Sequence, residues 1–402
     1  MIKAAVLGYG TVGSGVVKVL QTNRESIARR VGEEICVKYV LDLREFPGDP
    51  VEEILVHDYE VILQDPEVRI VVETMGGVNP AYDFTKRALL SGKNVCTSNK
   101  ELVAQHGVEL MRIAAEMHVN YMIEASCGGG IPIIRAMNEA LTADVIDEVA
   151  GILNGTTNYI LTKMSLEGSE FADALAEAQA NGYAERNPEA DVEGYDACRK
   201  IAILSSVAYG SHVDFTDVYT EGITKITSAD ICYAKAMGRA IKLLAVSRKN
   251  GNAVSIRVTP ALIGPEDPLY AVNDVFNAVL VHGNMLGNAM FYGSGAGSLP
   301  TASAVAADVV ACAKNPNRNI AVPGTGETLE IVPFEETESC FFVRVSGDPS
   351  CNSIKALFGD VEIVTADGVE GEFGFVTGPV KEKDFAEKIA GLEGVLNRIR
   401  VM

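Results

Sequence analysis

The sequence predicts an α/β protein in three parts: a doubly wound parallel sheet first, an α+β region after it, and a βαββαβ module at the C-terminus. Three observations carry this. Up to about residue 130, short apolar strands alternate with helical stretches, the pattern of a parallel sheet covered on both faces. The glycine turn Gly8-Tyr9-Gly10-Thr11-Val12-Gly13 stands between the first strand and the first helix. From residue 131 the alternation stops, and strands precede helices and then follow them. The boundaries fall at 1–130, 131–335 and 336–402.

In the first part, residues 2–7 form an apolar strand, 12–20 a helix and 35–41 a second strand. Residues 69–74 (RIVVET) form a strand, and Asn79-Pro80 opens a helix over 80–90. A strand at 94–97, a helix at 107–118 and a strand at 120–123 complete the unit, while 43–68 carries no clear pattern. In the second part, 145–153 reads as a strand, 158–165 and 170–180 as helices, and 196–209 as a helix behind an acidic segment. Residues 229–248, rich in Ala and Ile, predict a helix, and 253–263 and 277–282 predict strands. The small-residue helix 301–313 (TASAVAADVVACA) must pack closely and is expected to return to the first sheet. Residues 316–333 read as a Pro/Gly/Asn linker. The last part runs strand 340–345, helix 352–358, strands 361–366 and 372–377, helix 382–389 and strand 395–401, the ferredoxin-like order. The linker predicts that residues 336–402 can be removed with catalysis largely intact.

The 402 residues are 48% apolar and 22% charged, with net charge −20, which describes a soluble globular chain with ample length for a core. No basic run interleaved with aromatics is present, which argues against nucleic acid as a partner. No apolar run approaches the ~20 residues of a membrane helix, and the opening residues do not read as a signal peptide. The eight cysteines form no CxxC pair and no metal-ligand spacing with the five histidines. They read as reduced thiols of a cytoplasmic protein. The apolar runs at 253–263 and 277–282 exceed what a free surface carries and predict a dimer contact.

Strand, glycine turn and helix together make the dinucleotide fingerprint of a Rossmann-type sheet. Gly8 permits the turn, Gly10 admits a pyrophosphate to the backbone, and Gly13 lets helix and strand lie close. At the end of the second strand, Asp42 could accept from a ribose 2′-hydroxyl, favouring NAD, and Arg44 could reach a 2′-phosphate, favouring NADP. Lys100 lies just past the carboxyl end of a strand, where open α/β sheets bind ligands; a solvated loop lysine is the plainer reading. Cys127, in the turn Cys127-Gly128-Gly129-Gly130, is either a nucleophile near a helix start or a small residue in a tight turn.

The acidic segment GYAERNPEADVEGYDACRK at 182–200 says most about chemistry. Asp196 and Lys200 stand four residues apart on one helix face, beside apolar positions that bury it. A lysine there can be tuned for proton transfer. The plainer reading is an i,i+4 ion pair worth ~0.3–0.5 kcal/mol.

These residues sit within eight segments that resemble homoserine dehydrogenases in order and spacing: 8–13, 71–77, 92–100, 124–134, 151–160, 182–200, 221–238 and 291–305. The resemblance implies interconversion of L-homoserine and L-aspartate 4-semialdehyde with NAD or NADP. By it, Lys200 is the proton donor and acceptor, Glu185 and Asp196 bind the substrate ammonium with Asp191 nearby, Thr156 shapes the pocket, and Lys100 touches cofactor and substrate. Gly10, Thr11, Val12, Gly76, Ser98 and Gly297 line the cofactor. A sodium ion is held by Glu124 and the carbonyls of Cys127, Gly129 and Ile131. The C-terminal module resembles an ACT domain, and a homodimer or homotetramer is implied. Leu41 stands where NADP-preferring members often have arginine. The turn 347–352 lacks the Asp-x-x-Gly-Val-Leu pattern for ligand binding, so weak or absent threonine inhibition is expected. Two rival readings remain at this point: an acylating semialdehyde dehydrogenase using Cys127, and a non-enzymatic nucleotide- or amino-acid-sensing protein.

Overall fold

The computed structural model describes residues 1–320, 329–348 and 352–402. Two compact units emerge. Met1–Val145, Ala202–Asp214 and Gly293–Thr328 make the first, and Ile146–Ile201, Phe215–Tyr292 and Leu329–Met402 the second.

The first unit holds six parallel strands: β1 (Ile2–Leu7), β2 (Ile35–Leu41), β3 (Leu55–Val56), β4 (Val68–Glu73), β5 (Asn94–Thr97) and β6 (Tyr121–Met122). Their order is β3-β2-β1-β4-β5-β6. The chain order reverses beside β1, so the carboxyl ends of β1 and β4 frame the switch-point crevice of a doubly wound sheet. Ala4, Val6, Ile70, Val72 and Cys96 pack with Val16 and Leu20 of helix Thr11–Thr22. Helix Ser298–Lys314 closes the same core with Ala302, Val305 and Val309. Its small residues have a specific cause: a Cβ on Gly15 would stand 2.9 Å from the Ala302 Cβ.

The second unit is built on a twelve-stranded sheet among the described residues. Its strands are β7 (Ile146–Ile152), β8 (Tyr219–Thr220), β9 (Ala240–Asn250), β10 (Ala253–Ile263), β11 (Phe276–Gly283), β12 (Gly287–Ser294), β13 (Glu330–Ile331), β14 (Glu338–Ser346), β15 (Glu362–Val364), β16 (Glu372–Val376), β17 (Val380–Lys381) and β18 (Val395–Val401). The main order is β12-β11-β7-β9-β10-β18-β14-β16-β15. The βαββαβ order of the C-terminal part is present, but its strands are not a separate sheet. β18 pairs in parallel with β10 through Ala261–Arg400 and Leu262–Val401.

Buried charges fasten that junction. Arg400 donates from Nε to Glu382 Oε1 at 2.7 Å and from Nη1 to Glu221 Oε2 at 3.0 Å. Arg344 reaches Asp230 at 2.8 Å and Glu372 at 2.8 Å. Asn397 also donates to Asp230.

One predicted element is corrected. The helix expected over 229–248 ends early, as Ser228–Ala236, and Ala240–Asn250 is strand β9. Gly238 takes φ +66° at the break, and Asn250-Gly251 turns β9 into β10, a hairpin signature. The helix expected from residue 107 begins at Lys100, because the Asn99 side chain caps it by accepting from Leu102 N–H. The linker and the 347–352 turn lie partly outside the described residues.

Candidate active site

In the first unit, β1 delivers Gly8 to the sheet edge, where its N–H donates to the Leu41 carbonyl. A Cβ on Gly13 would fall on the Gly8 carbonyl oxygen and crowd Thr74 Oγ1, so only glycine lets the helix start this close to the strand. Gly10 is the N-cap of helix Thr11–Thr22, and no side chain caps that end. A Cβ on Gly10 would meet nothing within 4 Å, so the helix N-terminus opens onto space. Unpaired N–H groups and the helix dipole make such an end an anion site. Gly297 is the N-cap of helix Ser298–Lys314, and the Ser298 hydroxyl donates to the Thr11 carbonyl at 2.6 Å, bringing this end beside Thr11.

A pocket of about 500 Å³ continues from the turn, lined by Gly8, Gly10, Asp42, Arg44, Met75 and Gly76 among others. Both groups suspected of choosing the cofactor are therefore at the rim, and they bind each other. Asp42 Oδ1 accepts from Arg44 N and Nε, each at 3.0 Å, and Oδ2 accepts from Tyr9 N at 2.8 Å and Arg44 Nη2 at 2.9 Å. The Arg44 guanidinium holds the Asp42 carboxyl well below the usual carboxylate range. The Arg44 side chain is itself 61% exposed.

The loops after β4 and β5 are tied together by a buried acid that sequence reasoning missed. Glu73 accepts from Met75 N–H at 2.8 Å and from the Thr97 hydroxyl at 2.6 Å. Thr97 in turn accepts from Asn99 N–H, and Asn99 donates to the Gly77 carbonyl. This chain of bonds links Gly76 and Gly77 to Ser98 and Lys100, the first residue of helix Lys100–Glu116. Burial among neutral donors pushes the Glu73 carboxyl up to about 7.

Glu124 is also buried. Its carboxylate accepts from Ile134 N at 2.9 Å and Arg135 N at 2.8 Å, one bond per oxygen, and burial raises its pKa. Asp308, fully buried and pushed up to about 7, accepts from Glu124 N–H and from Arg135. A second lone pair remains on each Glu124 oxygen, and a carboxylate with neutral carbonyls is the donor chemistry of a hard cation. Gly129, at φ +54°, lies so near Gly295 that a Cβ would strike its carbonyl. Cys127 is fully buried, an unsuitable place for a nucleophile that must meet substrate.

In the second unit the acidic segment folds around helix Tyr195–Tyr209. Ile201, Ala202, Ile203 and Leu204 are all buried, so the helix is enclosed on every side at that turn, and Asp196 sits in its first turn, where the dipole favours an anion. Lys200 Nζ donates to Asp196 Oδ2 at 2.7 Å and to the Leu153 carbonyl at 2.7 Å. The side chains are 3% and 11% exposed, so this is a desolvated pair rather than a surface one. Asp191 joins through Asn154, whose amide donates to both acids. The Thr156 hydroxyl donates to the Tyr183 carbonyl at 2.6 Å, holding the segment that leads to Glu185. Glu185 itself is exposed, with its carbonyl accepting from Gln179.

The unit thus gathers Lys200, Asp196 and Asp191, with Thr156 on the adjoining helix. Asn154 was absent from the sequence reading. Its signal was there, since an asparagine before Gly-Thr-Thr and an apolar run marks a helix N-cap.

The model of the family "Homoserine dehydrogenase" matches residues 132–310, and "Homoserine dehydrogenase, NAD binding domain" matches 8–124. A homoserine dehydrogenase of Neisseria gonorrhoeae is 39% identical, covering 98% of this chain and 95% of its own. One from Bacillus subtilis is 44% identical over 78% of this chain and 73% of its own. The crystal structure of the Thiobacillus denitrificans enzyme superposes with TM-score 0.91 at 37% identity, covering 100% of this chain and 98% of that one. A hyperthermophilic archaeal homoserine dehydrogenase in complex with NADPH gives TM-score 0.67 at 27% identity, over 77% of this chain and 97% of that one. With a nucleotide-binding turn in one unit and a buried lysine–carboxylate pair in the other, the chain belongs to the homoserine dehydrogenase family of NAD(P)-dependent oxidoreductases.

Proposed function

We propose that this enzyme interconverts L-homoserine and L-aspartate 4-semialdehyde, with Lys200 moving the proton at the substrate oxygen. The observation that carries this assignment of roles is the desolvated Lys200–Asp196 pair, fixed by the Leu153 carbonyl. A nicotinamide cofactor held at the glycine turn would supply the hydride acceptor for the carbinol carbon and the hydride donor for the aldehyde carbon. In oxidation, neutral Lys200 takes the hydroxyl proton. In reduction, its ammonium stabilises the developing alkoxide and protonates it. Asp196, Asp191 and Glu185 receive the substrate ammonium, Thr156 shapes the pocket, and Lys100 reaches cofactor and substrate.

Gly10, Thr11, Val12, Gly76, Ser98 and Gly297 form the cofactor cradle. Four donors already fill the acceptor positions of Asp42, so a ribose 2′-hydroxyl must displace one of them. Arg44 is the group presented to a 2′-phosphate. This arrangement supports use of NADP alongside NAD. Glu124 with the carbonyls of Cys127, Gly129 and Ile131 would hold a sodium ion, whose charge offsets the buried Glu124 and Asp308 carboxylates and braces the turn. The working form is a cytoplasmic homodimer or homotetramer, in keeping with free thiols at all described cysteines. No described helix is long and apolar enough to cross a membrane. The C-terminal segment 336–402 is an ACT-like unit with weak or absent response to threonine.

Spectrophotometric assay of homoserine with each nucleotide tests the reading. Lys200→Ala is expected to lower kcat by at least about a hundredfold, within the range of a general acid–base group, with cofactor affinity nearly unchanged. A variant with near-native kcat would sink the assignment and point to Lys100.

A further inference from the structure

We infer that Asn154 is a positioning residue of the proton-transfer site, an amide that bridges Asp191 and Asp196 and so helps place Lys200. This rests on the role proposed for Lys200. Strand β7 ends at Ile152, and the next two residues supply both anchors. The Leu153 carbonyl accepts from Lys200 Nζ at 2.7 Å. The Asn154 amide nitrogen donates to Asp191 Oδ1 at 2.7 Å and to Asp196 Oδ2 at 2.9 Å.

The amide oxygen faces the other way, accepting from Thr157 N at 2.8 Å and Thr157 Oγ1 at 3.1 Å, and so caps helix Gly155–Glu167. All four hydrogen-bonding positions of the amide are thereby used, and the residue is only 5% exposed. Asp196 Oδ2 receives Asn154 and Lys200 together. The lysine's partner, one turn earlier on the same helix, is thus also held from the strand end.

The chemistry of the group explains why it is an amide. Two carboxylates sharing one neighbour need a donor on each side, and a neutral NH2 offers two without adding charge. A cation there would compete with Lys200 and with a substrate ammonium for the same acids. A carboxylate would add a third negative charge in a desolvated place, which stabilises the protonated lysine.

Asn154→Asp separates the two jobs of the side chain. Asp and Asn are equally good N-caps, so the helix keeps its cap while the two donated bonds are lost. Asn154→Ser keeps a cap but is too short to span to both acids.

The expected result for Asn154→Asp is a kcat lower by at least about thirtyfold with cofactor affinity within twofold, both read below the variant's melting transition, because a third buried carboxylate also lowers the thermal midpoint. The acidic limb of the kcat–pH profile for homoserine oxidation, where Lys200 must shed its proton to act as the base, should move up by about one unit. In protein labelled with 13C at lysine Cε, the Lys200 midpoint should move in the same direction. Asn154→Ser should lose kcat similarly but move neither midpoint up.

If Asn154→Asp matches the parent protein in kcat and in Lys200 midpoint, Asn154 is a helix cap only and the inference is overturned. If the parent protein does not oxidise homoserine, the functional reading fails. The Lys200 midpoint, measured without turnover, then still decides the placement by Asn154.

Discussion

In the first unit the proposed phosphate site is backbone, a glycine turn and a helix end without a side-chain cap, and the buried acid Glu73 is surrounded by neutral donors. In the second unit buried acids are paired with basic side chains: Asp196 with Lys200, Asp230 with Arg344, Glu382 with Arg400. The difference follows the ligands. A pyrophosphate brings its own charge and needs dipoles and space, whereas a zwitterion and a migrating proton need fixed counter-charges. Glycine spacing records the first kind of site in a short stretch of chain. The second kind is scattered, because its partners meet only after the sheet has formed.

Four changes break or sharpen this contrast. Deleting residues 336–402 strips Arg344 from Asp230, which is fully buried, and bares the edge of β10. An uncompensated buried charge costs roughly 3–5 kcal/mol. The truncated chain is expected to be insoluble, or to melt at least about 10 °C lower in a thermal scan, with catalysis lost alongside. This replaces the linker-based expectation of a dispensable module, and an unchanged melting point would restore it.

Glu73→Gln comes next. A carboxyl raised from 4.5 to about 7 in the fold keeps its proton longer folded than unfolded. Its contribution is therefore full below about pH 4.5 and is lost as pH rises through about 7. The shift corresponds to a change on the order of 3 kcal/mol. Glutamine removes the ionisation, so the fall in thermal midpoint between pH 5 and pH 8 should shrink. An identical fall in both proteins would place the titration elsewhere, at Asp308 for instance.

Gly13→Ala puts a methyl on the Gly8 carbonyl. Cofactor affinity, read by nucleotide fluorescence titration, is expected to drop about a hundredfold, a loss of the size that overpacking produces, with the Lys200 site unaffected. Retention of tight binding would mean that the turn can relax. The smallest effect belongs to Arg44→Ala. The ratio of kcat/KM for NADP over NAD should fall about tenfold, as loss of one charged hydrogen bond predicts. An unchanged ratio would remove Arg44 from cofactor choice.

Strands β1, β2, β5, β10 and β18 were legible at their full length because burial on both faces or regular alternation writes a strand into the sequence. The glycine turn and the Asp196–Lys200 spacing were legible for the same reason: each is a local pattern. Residues 240–250 were not, since Ala-Ile-Lys-Leu-Leu-Ala-Val suits a buried helix as well as a buried strand. Only the Asn250-Gly251 turn separated the two, and it was passed over. Glu73, Asn154 and Arg400 were illegible for a different reason. Each looks ordinary in sequence, and its partner is distant: Thr97 is 24 residues away, Asp196 42 and Glu221 179. Arg400 also stands in an alternating strand, where an arginine normally reads as a solvent position.

The continuous ladder from β18 through β10 and β9 to β7 has a consequence for cooperativity. β7 runs straight into Leu153 and Asn154, so β18 and the residues that bond the Lys200–Asp196 pair belong to one hydrogen-bonded sheet. Such a unit opens as a whole. Amide exchange at the C-terminus and loss of Lys200 placement are then the same fluctuation seen from two ends. Protease resistance of the last dozen residues, compared with retention of the Lys200–Asp196 pair, tests whether the two share one opening event.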